Sequence, residues 1–318
     1  MGLPDSPHND RADVGNVVHK ALELLALKKF SEQEGLTNFS EDETGGKWEV
    51  KDFTPDMAFE AGWNLYKKKS PQWEWDEKTY KQARKWTEKV LTYNDGMFSP
   101  LQRTIVKPEQ YFDFPIEEDW AKFSFENPWS SEPITGQLRV RGTMDLIVDM
   151  EWMPDAIEYI DWKTGKYARQ DWKKRRVKGY KEICDDMQLR LYHLAIRRLF
   201  PTKKHIHMSI FYVQAGGPYS IPLDDYEIPK TLEKLKKIFL EMKESTFPKR
   251  ISPDFKCSWC SYARENWKDS GKTVCDFMFG ELKQLGLTKL YEKYADPKAG
   301  STYTGGGRAN VAVEEAKP

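Results

Sequence analysis

Two segments, Val140-Arg-Gly-Thr-Met-Asp145-Leu-Ile-Val-Asp149 and Ile157-Glu-Tyr-Ile-Asp161-Trp-Lys163-Thr-Gly-Lys166, decide the fold that this sequence predicts. Each is short and rich in β-branched and aromatic residues, which is typical of β-strands. The connection between them is short, so we expect a hairpin of antiparallel strands. Asp145 and Asp161, sixteen positions apart in the chain, would then lie on neighbouring strands.

The acids on these strands, with one lysine, are the clearest chemical signature in the chain. Carboxylate oxygens suit hard divalent cations such as Mg²⁺ and Mn²⁺. Lys163 follows Asp161 by two residues, and residues two apart on a strand point to the same face. We therefore expect two metal ligands and one cation at a single point. The alternative is that Asp145 and Asp161 are ordinary strand-end acids, as in most isolated Asp-x-Lys tripeptides.

Length and composition set limits on the class of protein. The chain has 318 residues, enough for a substantial core, and its 50 basic and 50 acidic residues give a net charge of zero. Overall charge therefore gives no argument about a nucleic-acid partner. No run approaches the roughly 18 apolar residues of a membrane span, and no basic then apolar signal pattern opens the chain. We expect a cytoplasmic protein without a membrane partner.

Periodicity indicates a mixed fold. Alternating residues from Gln102 to Asp161 predict a meander of antiparallel strands, and another strand is predicted over 207–213. Apolar residues at helical spacing predict five helices: one capped by Asp13, and others near 54–68, 77–91, 184–199 and 227–244. The predicted fold class is α/β (mixed α+β), with a central mixed, largely antiparallel sheet flanked by helices.

The predicted domain organisation is a single domain over residues 1–294. Residues 38–100 form a predicted helical insertion, and residues 251–280 form a cysteine-containing segment. Residues 295–318 have no periodicity, which predicts a disordered tail.

A basic segment directly follows the second strand. From Lys163 to Lys181 the chain has nine basic residues against the single acid Asp171, with aromatic residues between them. Such a segment can follow a phosphate backbone while its rings stack on unpaired bases. The alternative is a solvated charged loop, but a polyanion bound here would lie across the predicted metal site. The candidate DNA-binding residues are Lys166, Arg169, Trp172, Lys173, Lys174, Arg175, Arg176 and Lys178.

The order of several short motifs is more specific than any one of them. Along the chain they are Gly15-Asn-Val-Val-His19, Gly142-Thr-Met-Asp145, Asp161-Trp-Lys163-Thr-Gly, Gln188-Leu-Arg-Leu-Tyr192 and Cys257-Ser-Trp-Cys260. Over roughly residues 10–275, this order resembles the RecB-like branch of the PD-(D/E)XK nuclease superfamily. That branch includes lambda-type exonucleases and the iron-sulfur exonuclease of CRISPR adaptation. The opening Gly2-Leu-Pro-Asp-Ser-Pro7 looks like phage and prophage members.

The resemblance implies a restriction-endonuclease-like core and a role for each motif residue. The metal ligands would be His19, Asp145, Asp161 and the backbone carbonyl of Trp162, holding Mg²⁺ or Mn²⁺. Lys163 would orient or help deprotonate the attacking water. Gln188 and Tyr192 would position Lys163 and the scissile phosphate. Without the motif order, His19 would be read as a core histidine, and the Gln188–Tyr192 pair as surface and packing.

The cysteines depart from the family pattern. Iron-sulfur members use one cysteine near the N-terminus and three near the C-terminus, yet no cysteine here precedes His19. Three readings stay open: an iron-sulfur cluster, a structural Zn²⁺ site, or reduced and inert thiols. The candidate ligands are Cys257, Cys260 and Cys275, with Cys184 or a histidine as the fourth.

The function predicted from these observations is a divalent-metal-dependent DNA exonuclease. Its substrate would be single-stranded or double-stranded DNA with free ends, in a bacterial or phage-infected cell. The alternatives are a structure-specific endonuclease and a catalytically silent DNA-binding subunit of a recombination or repair complex. A recombination or replication protein is a candidate partner, and the sequence does not predict an oligomeric state.

Overall fold

The computed structural model describes residues 10–71, 74–126, 131–165, 170–171, 176–177, 180–214 and 217–244. Residues 9–244 form one compact unit. The cysteine segment at 251–280 and the tail at 295–318 lie outside the described residues. The division into a single domain and a tail therefore stays a prediction.

The helices and strands follow one another in mixed order. The helices are α1 (Asp10–Gln33), α2 (Pro55–Lys69), α3 (Glu77–Thr92), α4 (Tyr180–Cys184), α5 (Met187–Leu199) and α6 (Glu227–Glu244). The longer strands are β3 (Ile105–Pro115), β6 (Arg139–Asp149), β7 (Ala156–Lys163), β10 (His205–Tyr212) and β11 (Gly217–Leu223). Short strands are β1 (Asn38–Glu41), β2 (Gly46–Glu49), β4 (Lys122–Phe125), β5 (Ile134–Gln137), β8 (Gln170–Asp171) and β9 (Arg176–Val177).

A five-stranded sheet organises the fold, in the order β11-β10-β7-β6-β3. Only the β7–β10 pair is parallel, while β3–β6, β6–β7 and β10–β11 are antiparallel. The prediction of a mixed, largely antiparallel sheet flanked by helices is confirmed. The hairpin of β6 and β7 is also present, joining the two segments that carry Asp145 and Asp161.

The predicted meander over residues 102–161 is only partly correct. β3, β6 and β7 are neighbours in the sheet, but β4 and β5 pair with each other outside it. The chain then leaves β7, passes through α4 and α5, and returns as β10 parallel to β7. A parallel neighbour requires such a long crossover, and alternation along each strand does not reveal which strand it will join.

Central position explains the burial of β7. Seven of its eight residues are buried and only Lys163 is partly exposed. With strands on both edges and helices on both faces, a strand buries its two faces alike, and its sequence loses the usual alternation. The two acids of this strand, Glu158 and Asp161, are therefore buried as well.

Two apolar layers hold helices against the sheet. On one face, Tyr159 and Met208 pack with Leu189 and Leu194 of α5. On the other face, Val18 and Leu22 of α1 are among the residues that pack with Trp162 of β7. Successive residues of a strand point to opposite faces, so α1 and α5 approach the sheet from opposite sides.

α1 differs from its prediction at its first turn. Asp13 was predicted to cap this helix, but α1 already begins at Asp10. Asp13 is fully buried inside it and accepts a hydrogen bond from the hydroxyl of Ser70, at the end of α2. The Asp13 side chain thus joins α1 to the end of α2 instead of capping the start of α1.

The segment 38–100 contains the two predicted helices and also the β1–β2 hairpin. Thr54 caps α2, accepting a hydrogen bond from the Met57 amide at 3.3 Å, and Asp76 caps α3 through the Thr79 amide at 2.7 Å. Both helices pack on α1 in the same apolar layer, through residues such as Phe59 of α2 and Val90 of α3. None of the described helices is both long enough and apolar enough to cross a bilayer.

His193 on α5 gives the fold a testable acid sensitivity. It is 1% exposed, and neither ring nitrogen has a hydrogen-bond partner among the described residues. Burial, and next the Arg197 charge, lower its pKa below the ordinary value. The unfolded chain therefore binds this proton more readily than the folded chain does. Stability from this site is present above the unfolded pKa of about 6.5 and is lost as the pH falls below it.

We predict that the His193→Leu variant loses this sensitivity. Below about pH 6.5 the free energy of unfolding of the wild type should fall relative to the variant, by up to about 1.4 kcal/mol per pH unit. Urea denaturation of both proteins between pH 5 and 8 measures the difference. A constant difference across that range would contradict the assignment.

Candidate active site

β6 and β7 separate at Asp145. Their pairing includes Leu146 opposite Ile160 and does not continue past it. Two residues beyond Ile160, the backbone amide of Trp162 donates a hydrogen bond to Asp145 Oδ2 at 3.0 Å instead of to a strand carbonyl. The carboxylate of Asp145 thus occupies the opening between the two strands.

Asp161 faces this opening from β7. Its Oδ1 accepts hydrogen bonds from the Tyr159 hydroxyl at 2.8 Å and from Lys163 Nζ at 2.9 Å. Lys163 Nζ also lies 2.9 Å from Oδ2, but that oxygen, although buried, accepts no hydrogen bond from the described residues. The Lys163 ammonium is thus the cation paired with the buried carboxylate.

α1 brings His19 to the same opening. Its Nδ1 lies 3.4 Å from Asp145 Oδ2, and its ring meets the Trp162 ring edge-on at 6.4 Å between centroids. About 30% of the His19 side chain is exposed. Residues far apart in sequence, His19, Asp145 and Asp161, therefore meet where β6 leaves β7.

The charges at this point shift one another. Burial and the neighbouring Asp145 raise the pKa of Asp161 despite the Lys163 ammonium. Burial also opposes the charge of Asp145, but His19 and the Trp162 amide outweigh it and hold the pKa of Asp145 below its usual value. Burial would lower the pKa of His19, yet Asp145 raises it overall. A buried acid, Asp161, and a partly buried one, Asp145, so close together favour a cation between them.

Gln188 and Tyr192 of α5 reach β6 next to these acids. Gln188 Nε2 donates to the Tyr192 hydroxyl at 3.1 Å, and that hydroxyl donates to the Thr143 carbonyl at 3.0 Å. The Tyr192 ring packs edge-on against Tyr159 at 5.1 Å. Neither side chain forms a hydrogen bond with Lys163 within the described ranges. The pair therefore contacts the β6 backbone and the tyrosine that binds Asp161.

A comparison with protein families gives a match over most of the chain. The family model described as the PD-(D/E)XK nuclease superfamily matches residues 1–264. The chain belongs to the PD-(D/E)XK nuclease superfamily. Membership makes DNA the substrate to expect, and divalent metals such as Mg²⁺ are typical of the superfamily.

Comparison with solved structures gives a weaker likeness. A crystal structure of a "Putative exonuclease" from Eubacterium rectale is 13% identical and covers 76% of this chain and 86% of that chain, with a TM-score of 0.35. The comparison with curated proteins gives no match. The superfamily assignment therefore rests on the family model.

The donor set suits the divalent cation that superfamily members use. Asp145 and Asp161 offer hard oxygen ligands and His19 an imidazole, and the buried Asp161 Oδ2 is an acceptor without a hydrogen-bond donor. Across the described part of the chain, no three His, Cys, Asp or Glu side chains are already arranged to hold an ion. Lys163 occupies the carboxylate instead. The chemistry of these residues fits a metal, and the ligand set of His19, Asp145, Asp161 and the Trp162 carbonyl stays a prediction.

Several predicted residues lie outside the description. The basic segment starts directly after β7, and of its candidates only Arg176 falls in a described strand, β9. The other seven, Lys166, Arg169, Trp172, Lys173, Lys174, Arg175 and Lys178, lie outside the described residues. So do Cys257, Cys260 and Cys275, whereas Cys184 is a partly buried free thiol whose pKa burial raises. The DNA-binding and cluster or zinc assignments stay predictions.

Sequence reasoning missed Glu109 of β3. The residues that flank it pair with Leu146 and Met144, which places Glu109 opposite Asp145. Its φ of 43° lies in the left-handed region, where non-glycine residues are uncommon and often belong to functional sites. Burial, followed by Asp145, raises its pKa to about 8. Only the strand register reveals this contact, and no local motif marks it.

A cleft of about 570 Å³ opens beside the carboxylates. Its lining includes His19, Glu109 and Asp145, together with Glu41 and Glu43 from the β1–β2 hairpin. The cleft is therefore strongly acidic on the hairpin side.

The acidic wall of the cleft consists of Glu23, Glu41 and Glu43. Lys20, the residue after His19, pairs with all three carboxylates. It is 5% exposed, and its Nζ lies 2.6 Å from Glu23, 3.3 Å from Glu41 and 2.7 Å from Glu43. Burial opposes its charge, but the hydrogen bonds that the ammonium donates to Glu23 and Glu43 outweigh this and raise its pKa. One buried ammonium thus joins α1 to the β1–β2 hairpin.

We predict that Lys20→Met lowers the free energy of unfolding by about 3–5 kcal/mol, because three carboxylates lose their common partner. Lys81→Met is the matched control, since Lys81 pairs with Glu77 at 2.6 Å but both side chains are more than 70% exposed. That variant should change stability by less than about 1 kcal/mol. Urea denaturation measures both, and similar losses in the two variants would contradict the role of Lys20.

Proposed function

We propose that this protein is a divalent-metal-dependent DNA exonuclease of the RecB-like branch, hydrolysing phosphodiester bonds with water. One observation carries the proposal: Asp145 and Asp161 meet at the separation of β6 and β7, with Lys163 bonded to Asp161 and His19 beside Asp145. Along the chain these residues follow the order of the family's motifs. In the fold they lie next to one another. A catalytically silent module would have no need of such convergence.

The hydrolysis needs charge compensation, because negative charge develops on the phosphoryl oxygens as water attacks phosphorus. A divalent ion, when bound, lowers the pKa of its water and offsets that charge. Asp145 and Asp161 would hold the ion, with His19 and the Trp162 carbonyl as further ligands. The carboxylates lie on rigid central strands, so their positions are fixed before the substrate arrives.

Lys163 supplies the second compensating charge. Its ammonium lies within hydrogen-bonding distance of Asp161 and is partly exposed, so it can reach both the carboxylate and a phosphate in the opening. A protonated amine at this place binds a phosphoryl oxygen and orients the attacking water. Tyr159 bonds the same carboxylate from the core side and keeps it aimed at the opening.

Tyr192 and Gln188 act as positioning residues. The Tyr192 hydroxyl holds the Thr143 carbonyl, two residues before Asp145. This contact fixes the part of β6 that has no β7 neighbour to hold it. Gln188 in turn fixes the hydroxyl. Loss of the pair would therefore loosen Asp145 without removing a charged group.

The acidic wall supports action at DNA ends. The hairpin side of the cleft keeps a net negative charge, because its acids outnumber the ammonium groups of Lys20 and Lys69 that pair with them. This charge repels a continuing phosphate backbone. A strand that ends near the carboxylates avoids this repulsion, whereas an unbroken duplex passing through would not. This repulsion favours an exonuclease over an endonuclease.

We predict that the purified protein degrades linear DNA in Mg²⁺ or Mn²⁺ and leaves covalently closed circles intact. Asp161→Asn should lower the rate by more than about a hundredfold, because a neutral amide is a weaker ligand than a carboxylate for the ion that offsets the developing charge. The control is Asp119→Asn, an acid whose side chain is 96% exposed, which should retain activity.

Gel analysis of both substrates separates the alternatives. Cutting of closed circles would reject the exonuclease in favour of an endonuclease. DNA binding without metal-dependent degradation would favour the silent subunit. Equal activity of Asp161→Asn and Asp119→Asn would place the chemistry elsewhere in the chain.

A further inference from the structure

The outer halves of β3 and β6 form a ribbon that extends past β7. β6 pairs with β7 only between Leu146 and Asp149, whereas its pairing with β3 continues to Arg139 opposite Pro115. Asp145 lies at the point where this ribbon leaves the sheet. Any strand of DNA that approaches the carboxylates along the ribbon would run over one of its two faces.

Among the described residues, one face of the ribbon is buried and the other is exposed. Phe112, Val140 and Met144 point to the covered face and are buried, with the Tyr192 ring packed edge-on against Phe112 at 5.7 Å. The residues between them point the other way. On that open face Tyr111 is 56% exposed and Arg141 and Thr143 are exposed.

Strand register orders the open face relative to the acids. Glu109 lies opposite Asp145, then Tyr111 opposite Thr143, then Asp113 opposite Arg141. Each step along the face is two residues, or about 6.8 Å. Tyr111 therefore lies one step from the carboxylates and Arg141 two steps, about 14 Å away along the strand.

Two arginines, Arg139 and Arg141, lie on this face, and within the described residues only Arg139 is paired with an acid. Asp113 is paired with Arg139, with 2.7 Å between Oδ1 and Nε, and it also accepts from the Tyr111 hydroxyl at 3.4 Å. In the described part of the chain, the Arg141 side chain has no hydrogen bond or ion pair. Arg141 and the neighbouring Tyr111 are both exposed, so the guanidinium and the ring are available to bind a ligand.

We propose that Tyr111 and Arg141 form a binding track for single-stranded DNA that leads to Asp145. The ring stacks on an unpaired base, and the guanidinium binds a phosphate one step farther out. Paired bases in a duplex do not offer their faces to a side chain, so the track selects an unwound strand. The proposal deepens the proposed function and rests on it for the identity of the ligand as DNA.

Binding without cleavage tests the track. The full-length protein in EDTA is titrated into a fluorescent 20-nucleotide oligo(dT) over a series of KCl concentrations, with anisotropy as the readout. Arg141→Gln should lower the slope of log K against log salt by about 0.7, the value of one phosphate contact on a single strand. Tyr111→Leu should keep the slope but weaken binding about tenfold or more, and Tyr111→Phe should bind like wild type.

Matched controls come from exposed residues elsewhere. Lys85→Gln removes an exposed charge from α3, and Tyr226→Leu removes a ring that is 65% exposed near α6. A blunt-ended linear duplex, in which every base is paired, is the control ligand, and Tyr111→Leu should leave its affinity unchanged. The substituted side chains are exposed, so all variants should keep the wild-type melting temperature.

The outcomes separate the two proposals. If either Arg141→Gln or Tyr111→Leu behaves like its control, or if the wild type does not bind oligo(dT), the track is overturned whether or not the protein cleaves DNA. If both variants weaken binding as expected but the wild type cleaves no DNA with metal, the track stands and the proposed function fails.

Discussion

A single hydrogen bond, from the Trp162 amide to the Asp145 carboxylate, replaces strand pairing where β6 leaves β7. A buried amide must find an acceptor, and here a side chain provides it in place of a backbone carbonyl. The carboxylate is therefore fixed inside the sheet rather than on a surface loop. The other site residues lie around this carboxylate: Asp161 faces the same opening, and His19 of α1 lies beside Asp145.

Burial makes this arrangement costly, and the cost explains the polar contacts around it. Asp161 is 2% exposed beside a second acid, so it needs the Lys163 ammonium and the Tyr159 hydroxyl. The same rule applies at the cleft, where buried Lys20 serves three carboxylates. An acidic wall thus lies next to the site, while Arg141, which has no partner among the described residues, lies two strand steps from Asp145 along β6.

Much of the fold could be predicted from local patterns. The helices near 54–68, 77–91 and 227–244 lie close to their predicted bounds, and the hairpin bearing Asp145 and Asp161 is confirmed. Alternation and helical spacing are properties of a few neighbouring residues, so a sequence displays them directly. The start of α1 was wrong because Asp13 is held by Ser70, a residue on another helix.

By itself the sequence determined which residues are candidates for the chemistry and in what order they follow one another, because residue type and spacing are properties of the chain. Only the tertiary structure decided which residues distant in sequence lie next to one another. The parallel entry of β10 beside β7, the place of Glu109 opposite Asp145 and the open face with Tyr111 and Arg141 depend on strand order and register. These are contacts between distant residues, and a shift of one position would turn every side chain of a strand to the other face. No local pattern records them.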